Sequence, residues 1–358
     1  MTLRSPGLYL ASAGGYPRFG ETHELLILRR TMDALASGDR TSADLLDAQN
    51  AMTRRAIADQ VEAGLDIITD GQIRWADPIS HIPAKLDNVR MDELLPFFDT
   101  GTYFRQPVLT AKILRRGQLV ADEYSFARNA LGHLPTPPAK AGKLAIKPVL
   151  TGPYTLAKYS LTENGNGAAH MRDTSEHLAA RAQDFAEVLA VEIEMLSRGG
   201  AQLIQIDEPA ILFHTADWPV LEAALKPLIA SRDRMRQSGR VVELALHTYF
   251  RDASPLYEKL MELPVDVIGL DFTAGGDALA EKIAGGGADK PIAFGLVSGT
   301  AAQMEDPEVV ARKLDKLLPR IGGGRAYLGA ASGLEYLSRA HAGDKLRLLG
   351  RIKSLLHG

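Results

Sequence analysis

Gln202-Leu-Ile-Gln-Ile-Asp-Glu-Pro209 is the stretch that decides the fold. A mostly apolar run of this length reads as a strand buried on both faces, and Pro209, lacking an amide proton, cannot continue its ladder. Asp207 and Glu208 therefore fall at the strand's C-terminal end, where parallel α/β proteins bind their ligands. A helix is predicted on each side. The first covers about 174–198, with Leu178, Ala182, Phe185, Leu189, Ile193 and Leu196 on its apolar face and Gly199-Gly200 closing it; the second covers 219–236.

Outward from this unit, further strands are predicted at 8–13, 65–70, 144–150, 241–247, 267–271, 292–297 and 326–331. Helices fall at 21–37, at 43–62 behind a capping start Thr41-Ser-Ala-Asp44, and at 254–262, 276–283, 307–317 and 334–356. Eight strands alternating with helices, with no linker between them, form the pattern of a (β/α)8 TIM barrel; a doubly wound sheet is the alternative. Residues 83–142 break the rhythm. They predict a short helix over Met91 to Phe98, an extended pair or hairpin over 101–113, and a loop at Pro135, Pro137 and Pro138. Their apolar content is too small for a separate core, so they read as an insertion after the second strand, over the mouth of a single barrel domain, 1–358. Leu161 to Gly167 reads as a flexible polar loop.

Hydrophobic residues make up 46% of the 358 and the net charge is -3, which gives no electrostatic case for nucleic acid or an anionic membrane and argues for small-molecule partners. Nothing in the pattern sets an oligomeric state. There is no cysteine, which excludes disulfides, thiolate catalysis and cysteine-ligated zinc or iron-sulfur clusters. The apolar part of the N-terminus is too short for a signal peptide and no stretch approaches a membrane span, so a cytoplasmic protein is expected. The absence of GxGxxG after the first strand, of GxxxxGK[ST], HExxH and GxSxG removes dinucleotide, P-loop, zincin and hydrolase-elbow readings.

In a barrel all strand ends open on one face. Asp70 and Gln72, Thr151 and Tyr154, Asp207 and Glu208, His247 and Tyr249, Asp271, Ser298 and Thr300, and Ser332 then form one ring. Each has a local explanation as a cap, ion pair or packed side chain, but polar groups at nearly every strand end point to a small-molecule site. Arg18 follows the Gly14-Gly15 turn, Arg74 follows the second strand, and Tyr103 and Arg105 lie on the insertion; the arginines suit ligand carboxylates. His247, with Asp271 or Tyr249 nearby, suits a general base at neutral pH. A metal held by His247, Asp271 and Glu208 is the competing reading, against which stands the single histidine among the strand ends.

Gly15-Tyr-Pro-Arg-Phe-Gly20, Thr69-Asp-Gly-Gln72, Leu150-Thr-Gly-Pro153, Gln205-Ile-Asp-Glu-Pro-Ala210 and His247 together carry a resemblance. Over nearly its whole length the chain resembles the barrel domains of cobalamin-independent methionine synthase and related single-barrel proteins, within the wider uroporphyrinogen-decarboxylase-like group. The resemblance implies a (β/α)8 barrel in which Asp207 holds the amino group of an amino-acid-like substrate. In the catalytic barrel of that family zinc is bound by His-x-Cys, a Glu one strand later and a Cys after the last strand. The matching positions here are His247, Tyr249, Asp271 and Ser332, so three of four ligands differ and no metal is expected. Gln72 stands where the family has a substrate-binding glutamate, and the segments around His247 and Leu263 to Asp271 look like the family's zinc-free N-terminal barrel.

The function expected on these grounds is a metal-independent transfer of a methyl or other one-carbon group to a small acceptor other than homocysteine, with a methyltetrahydrofolate co-substrate and no tightly bound cofactor. Asp207, His247, Asp271 and Tyr249 form the expected catalytic group; Gln72, Glu208, Asp70, Arg18, Arg74, Tyr103, Arg105, Tyr154 and Ser332 the expected substrate contacts. The alternatives are a lyase or decarboxylase of the same barrel group acting on a small carboxylate, and a non-catalytic ligand-binding barrel.

Overall fold

The computed structural model describes residues 5–135, 140, 144–163 and 174–356. Pro137, Pro138 and most of the 161–167 loop lie outside these described residues. The strands are β1 (Gly7–Leu10), β2 (Ile67–Ile68), β3 (Leu86–Pro96), β4 (Tyr103–Arg115), β5 (Ala145–Ile146), β6 (Val149–Thr151), β7 (Leu161–Thr162), β8 (Leu203–Asp207), β9 (Glu243–Thr248), β10 (Val267–Asp271), β11 (Ile292–Val297) and β12 (Arg325–Ala330). The helices are α1 (Ile27–Ala36), α2 (Ser42–Glu62), α3 (Ala121–Gly132), α4 (Pro153–Lys158), α5 (Ser175–Arg198), α6 (Trp218–Gln237), α7 (Tyr257–Glu262), α8 (Gly276–Gly286), α9 (Pro307–Leu317) and α10 (Arg339–Leu355).

Seven strands pair in parallel in the order β1-β12-β11-β10-β9-β8-β6. The ring closes because Ala11, just after β1, bridges Ile67 of β2, and β2 pairs with β5. β5 and β6 are two halves of one barrel strand, interrupted at Lys147-Pro148. Pro148 has no amide to donate, and its carbonyl accepts from Gln205 N at 3.0 Å. Counted this way the barrel has its eight strand positions, a TIM-barrel α/β fold. Tyr9, Ala11, Ile67, Leu203, Ala245, Val267 and Tyr327, all on or beside strands, pack as one buried cluster that fills the barrel, while the larger core lies between strands and helices. Glu243 and Arg325, each at the start of its strand, form a buried bidentate pair of 2.8 and 3.1 Å at the opposite end from the site.

The helix starts follow local chemistry. Thr41 and Asp44 close a reciprocal capping box on α2, Thr174 caps α5, and Asp306 caps α9 ahead of Pro307. α10 begins at Arg339 and not at 334, because Ser338 caps it, and the chain before it turns back with Leu334 N bonded to Gly15 O at 2.8 Å.

Met91 to Phe98 is not a helix. Residues 91–96 belong to β3, which pairs antiparallel with β4. Met91, Leu94, Leu95 and Phe98 have helical spacing, but register shifts at Asp87/Val89 and Met91/Leu94 break the alternation a regular strand would show. The 83–142 stretch divides in two: the hairpin, and α3, which packs beside α2 and α5 in the outer helix layer. At the hairpin tip Phe97 and Phe98 meet Phe250, just past β9; Phe98 also meets Phe213, and Phe250 in turn meets Tyr336 beyond β12. The tip therefore rests on strand-end segments.

Candidate functional site

Strand alternation turns Leu203, Gln205 and Asp207 of β8 into the barrel, and the polar members of that row are wired together. Lys147, at the break between β5 and β6, donates to Ser12 O at 2.8 Å and to Gln205 Oε1. Gln205 Nε2 donates to Ala13 O at 2.6 Å and to Asp207 Oδ1 at 2.7 Å, and the Tyr249 hydroxyl donates to Asp207 Oδ2 at 3.2 Å. Burial pushes the Asp207 carboxyl up to about 7, although the Gln205 bond, the Lys147 charge and the Tyr249 bond pull it down. Burial also lowers Lys147 to about 8, with Asp207 opposing. His247 lies directly across from Asp207 in the β8–β9 register, its ring against Gly269, where any Cβ would occupy the imidazole's place. Burial, then the Lys147 charge, holds its pKa well below the usual value, so the ring is neutral and in its basic form.

Beside this row a cavity of about 200 Å³ is lined by Arg18, Gln72, Trp75, Tyr103, Glu335 and Tyr336 among others. Trp75 is fixed by stacking on His81 at 4.6 Å and by donating from Nε1 to Glu123 at 3.0 Å. Glu123 also pairs with His81 and Lys85, and against the burial that would raise its carboxyl these two partners hold it down at about 2. Gln72 adopts φ +50° in the turn after β2, where its amide donates to Asp70 Oδ1 at 3.0 Å. Arg18 donates from Nε to Ile73 O at 3.0 Å. Burial, with the nearby charge of Glu123, raises Asp70 to about 6. Glu335 was not among the residues expected from sequence. It follows β12 by five positions in an irregular turn, and the only sequence signal is an acid shortly after Ser332. A Cβ at Gly15 or Gly333 would fall on its carboxylate, and burial raises its pKa to about 6.

Several expected site residues are directed elsewhere. Glu208, one position out of phase with Asp207, points away from the barrel and accepts from Tyr154 N at 2.9 Å and Thr155 N at 2.7 Å, which caps α4. Tyr154 donates from its hydroxyl to Asp217 at 2.8 Å, beside Lys158. Asp271 accepts from Phe250 N at 3.0 Å, Thr273 N at 2.8 Å, Thr273 Oγ1 at 2.6 Å and Ala274 N at 3.2 Å, so it shapes two turns and is no free base. Arg74 donates to Asn50 at 2.6 Å and lies over the Phe126 ring, outside the cavity. Arg105 is exposed on the hairpin, bonded to Asp92 O at 3.3 Å. The Ser332 hydroxyl donates to the neighbouring Gly333 carbonyl at 3.3 Å. Asp207, His247, Tyr249, Gln72, Arg18 and the exposed Tyr103 remain at the barrel mouth or on the cavity.

The four positions matching a zinc site do not fit that metal. Asp271 is committed to turn donors, the Tyr249 hydroxyl to Asp207, and Ser332 to its own loop, which leaves one imidazole where zinc takes four N, O or S donors. Among the described residues no group of three or more His, Asp or Glu is placed to hold an ion. No helix among them is long and apolar enough to cross a membrane.

A family model described as the cobalamin-independent synthase catalytic domain matches residues 11–352. A methionine synthase of Saccharolobus solfataricus is 27% identical over 335 residues, covering 93% of this chain and 90% of that protein. One from Methanothermobacter marburgensis is 28% identical over 304 residues, covering 84% and 87%. Among solved structures, a B12-independent methionine synthase from Shewanella sp. W3-18-1 in complex with selenomethionine superposes with a TM-score of 0.73 at 20% identity, covering 100% of this chain and 98% of that one.

Proposed function

The chain belongs to the cobalamin-independent synthase family, and from that premise we propose that it transfers a methyl or other one-carbon group, from a folate co-substrate and without a metal, to a small amino-acid-like acceptor. One observation carries this reading: a cavity of ligand size has an arginine and carboxylates on its wall, one of which, Glu335, acts on the charge of Asp207, and Asp207 pairs in register with a neutral histidine on the next strand. That is the complement of a zwitterion with a nucleophilic side chain. Asp207 and Gln72 position the acceptor. His247 takes the proton from the acceptor's S–H, N–H or O–H as that atom attacks the methyl carbon. The carbon–nitrogen bond to the folate breaks with its electron pair left on nitrogen, and the proton passes on to that nitrogen. Atoms and charge balance without an ion.

The Asp271, Tyr249 and Ser332 geometry supports metal independence, since a metal-activated nucleophile would need those positions as ligands. The test is transfer of label from methyltetrahydrofolate carrying a labelled methyl group to homocysteine, cysteine, homoserine and serine, with and without a chelator. Transfer to one of them at a chelator-insensitive rate is expected. No transfer to any acceptor sinks the reading, and a rate lost to the chelator and restored by zinc sinks its metal-free part.

A further inference from the structure

Both oxygens of Asp207 already have a protein donor, Gln205 on one and Tyr249 on the other. Glu208, Asp271, Asp70, Glu123 and Glu243, the other buried carboxylates described above, are likewise bonded by amides or cations. Glu335 differs. Its carboxyl is drawn down by its own backbone amide and by the Tyr336 hydroxyl, but Oε2 is buried and has no hydrogen-bond partner. A buried carboxylate oxygen left without a donor is unfavourable, and a ligand donor that reaches it recovers that free energy on binding.

The surroundings hold the group in place. The Leu334 amide donates to Gly15 O at 2.8 Å, tying the turn that carries Glu335 to the loop after β1. Gly15 and Gly333 supply the space the carboxylate fills. Tyr336 packs against Phe250, so the residue that bonds Glu335 is also anchored to the segment after β9. The same cavity wall includes Arg18, whose guanidinium has a short bond only from Nε, the contact from Nη2 being a long one of 3.9 Å to Met32 Sδ.

We propose that Glu335 is the ammonium anchor of this cavity, its open oxygen accepting from the primary ammonium of an amino acid whose carboxylate is taken by Arg18. Asp207, which the resemblance would make the holder of the amino group, then orients the acceptor's far end and faces the reacting atom. With its carboxyl near 6, Glu335 is ionised at neutral pH and above, as the role requires. This inference rests on the reading of the cavity as the acceptor site.

The probes are L-methionine and L-homocysteine, each paired with its des-amino counterpart, titrated calorimetrically at pH 8. The wild type binds the amino acids and not the des-amino acids. Glu335→Gln loses about 10- to 150-fold in amino-acid affinity, the range of one charge-assisted hydrogen bond, and gains nothing toward the des-amino acids. Glu335→Asp, which keeps the charge, loses less. Near-ultraviolet circular dichroism establishes that each variant is folded; should Glu335→Gln not fold, the wild-type preference for the amino over the des-amino probe decides. Equal affinity of the wild type for both members of a pair, an unchanged affinity in folded Glu335→Gln, or no binding of any probe overturns the assignment. Amino-acid binding that depends on Glu335 without label transfer from folate would instead sink the proposed reaction and leave the anchor standing.

Discussion

Glu208→Gln separates a fold role from a site role by its pH dependence. Glu208 is fully buried and accepts the two first free amides of α4, yet burial outweighs those bonds and raises its carboxyl from 4.5 to about 7. A carboxyl whose folded pKa is raised favours the folded state most in its neutral form. Its contribution is fully present below 4.5 and is lost as pH rises through 7. With about 1.4 kcal/mol per unit, the loss approaches about 3 kcal/mol by pH 8. Glutamine cannot ionise, but its amide nitrogen faces one of the two N–H groups and leaves it unpaired, at about 1–3 kcal/mol at every pH. The variant should therefore be less stable than wild type at pH 4.5, and the gap should close by about 3 kcal/mol by pH 8. Urea unfolding of both proteins at half-unit steps measures this directly, because pH effects of other groups cancel in the difference. A gap constant across the range would show that Glu208 is ionised throughout and that the amide bonds, not burial, dominate.

Asp207→Asn should fold normally and lose at least about a hundredfold in methyl transfer, as removal of one oriented polar group in a closed site typically does; a rate within a factor of three of wild type would count against its place in the site. Tyr249→Phe removes a donor to Asp207, so the acid limb of the pH–rate profile should move up by about one unit from its wild-type position near 7; an unmoved or lowered limb refutes the coupling. Gly152→Ala would bring a Cβ to 2.6 Å from Glu208 Cγ and should destabilise by about 1–3 kcal/mol or more, read from urea unfolding, without a change in ligand affinity.

Much of the barrel was legible because buried parallel strands are apolar runs with breaks at fixed spacing, and β8 to β12 fall within a residue or two of their predicted ranges. The third barrel strand read as continuous from 144 to 150, although Pro148 and Lys147 already marked its interruption. Met91 to Phe98 misled because two register shifts impose helical spacing on a strand. At the candidate site, Asp207, His247 and Gln72 could be expected at the barrel mouth because strand ends converge there. Glu208 was misassigned although alternation along β8 puts it out of phase with Asp207. Arg74 and Arg105 could not be placed, since a long side chain's direction is set by packing that no local pattern records. Glu335 was hidden by a turn between β12 and α10 that reads as the start of a helix.

The hairpin tip is attached to the strand ends largely through rings: Phe97, Phe98, Phe104, Tyr159, Phe213, Phe250 and Tyr336 meet edge to face or tilted. Apolar contact weakens on cooling, whereas a ladder of hydrogen bonds does not follow the same curve. The cover of this barrel is thus thermally tuned apart from the barrel itself. Cooling should therefore weaken the tip's hold on the strand ends, read as a loss of protection in the hairpin before any change in the strand ladders.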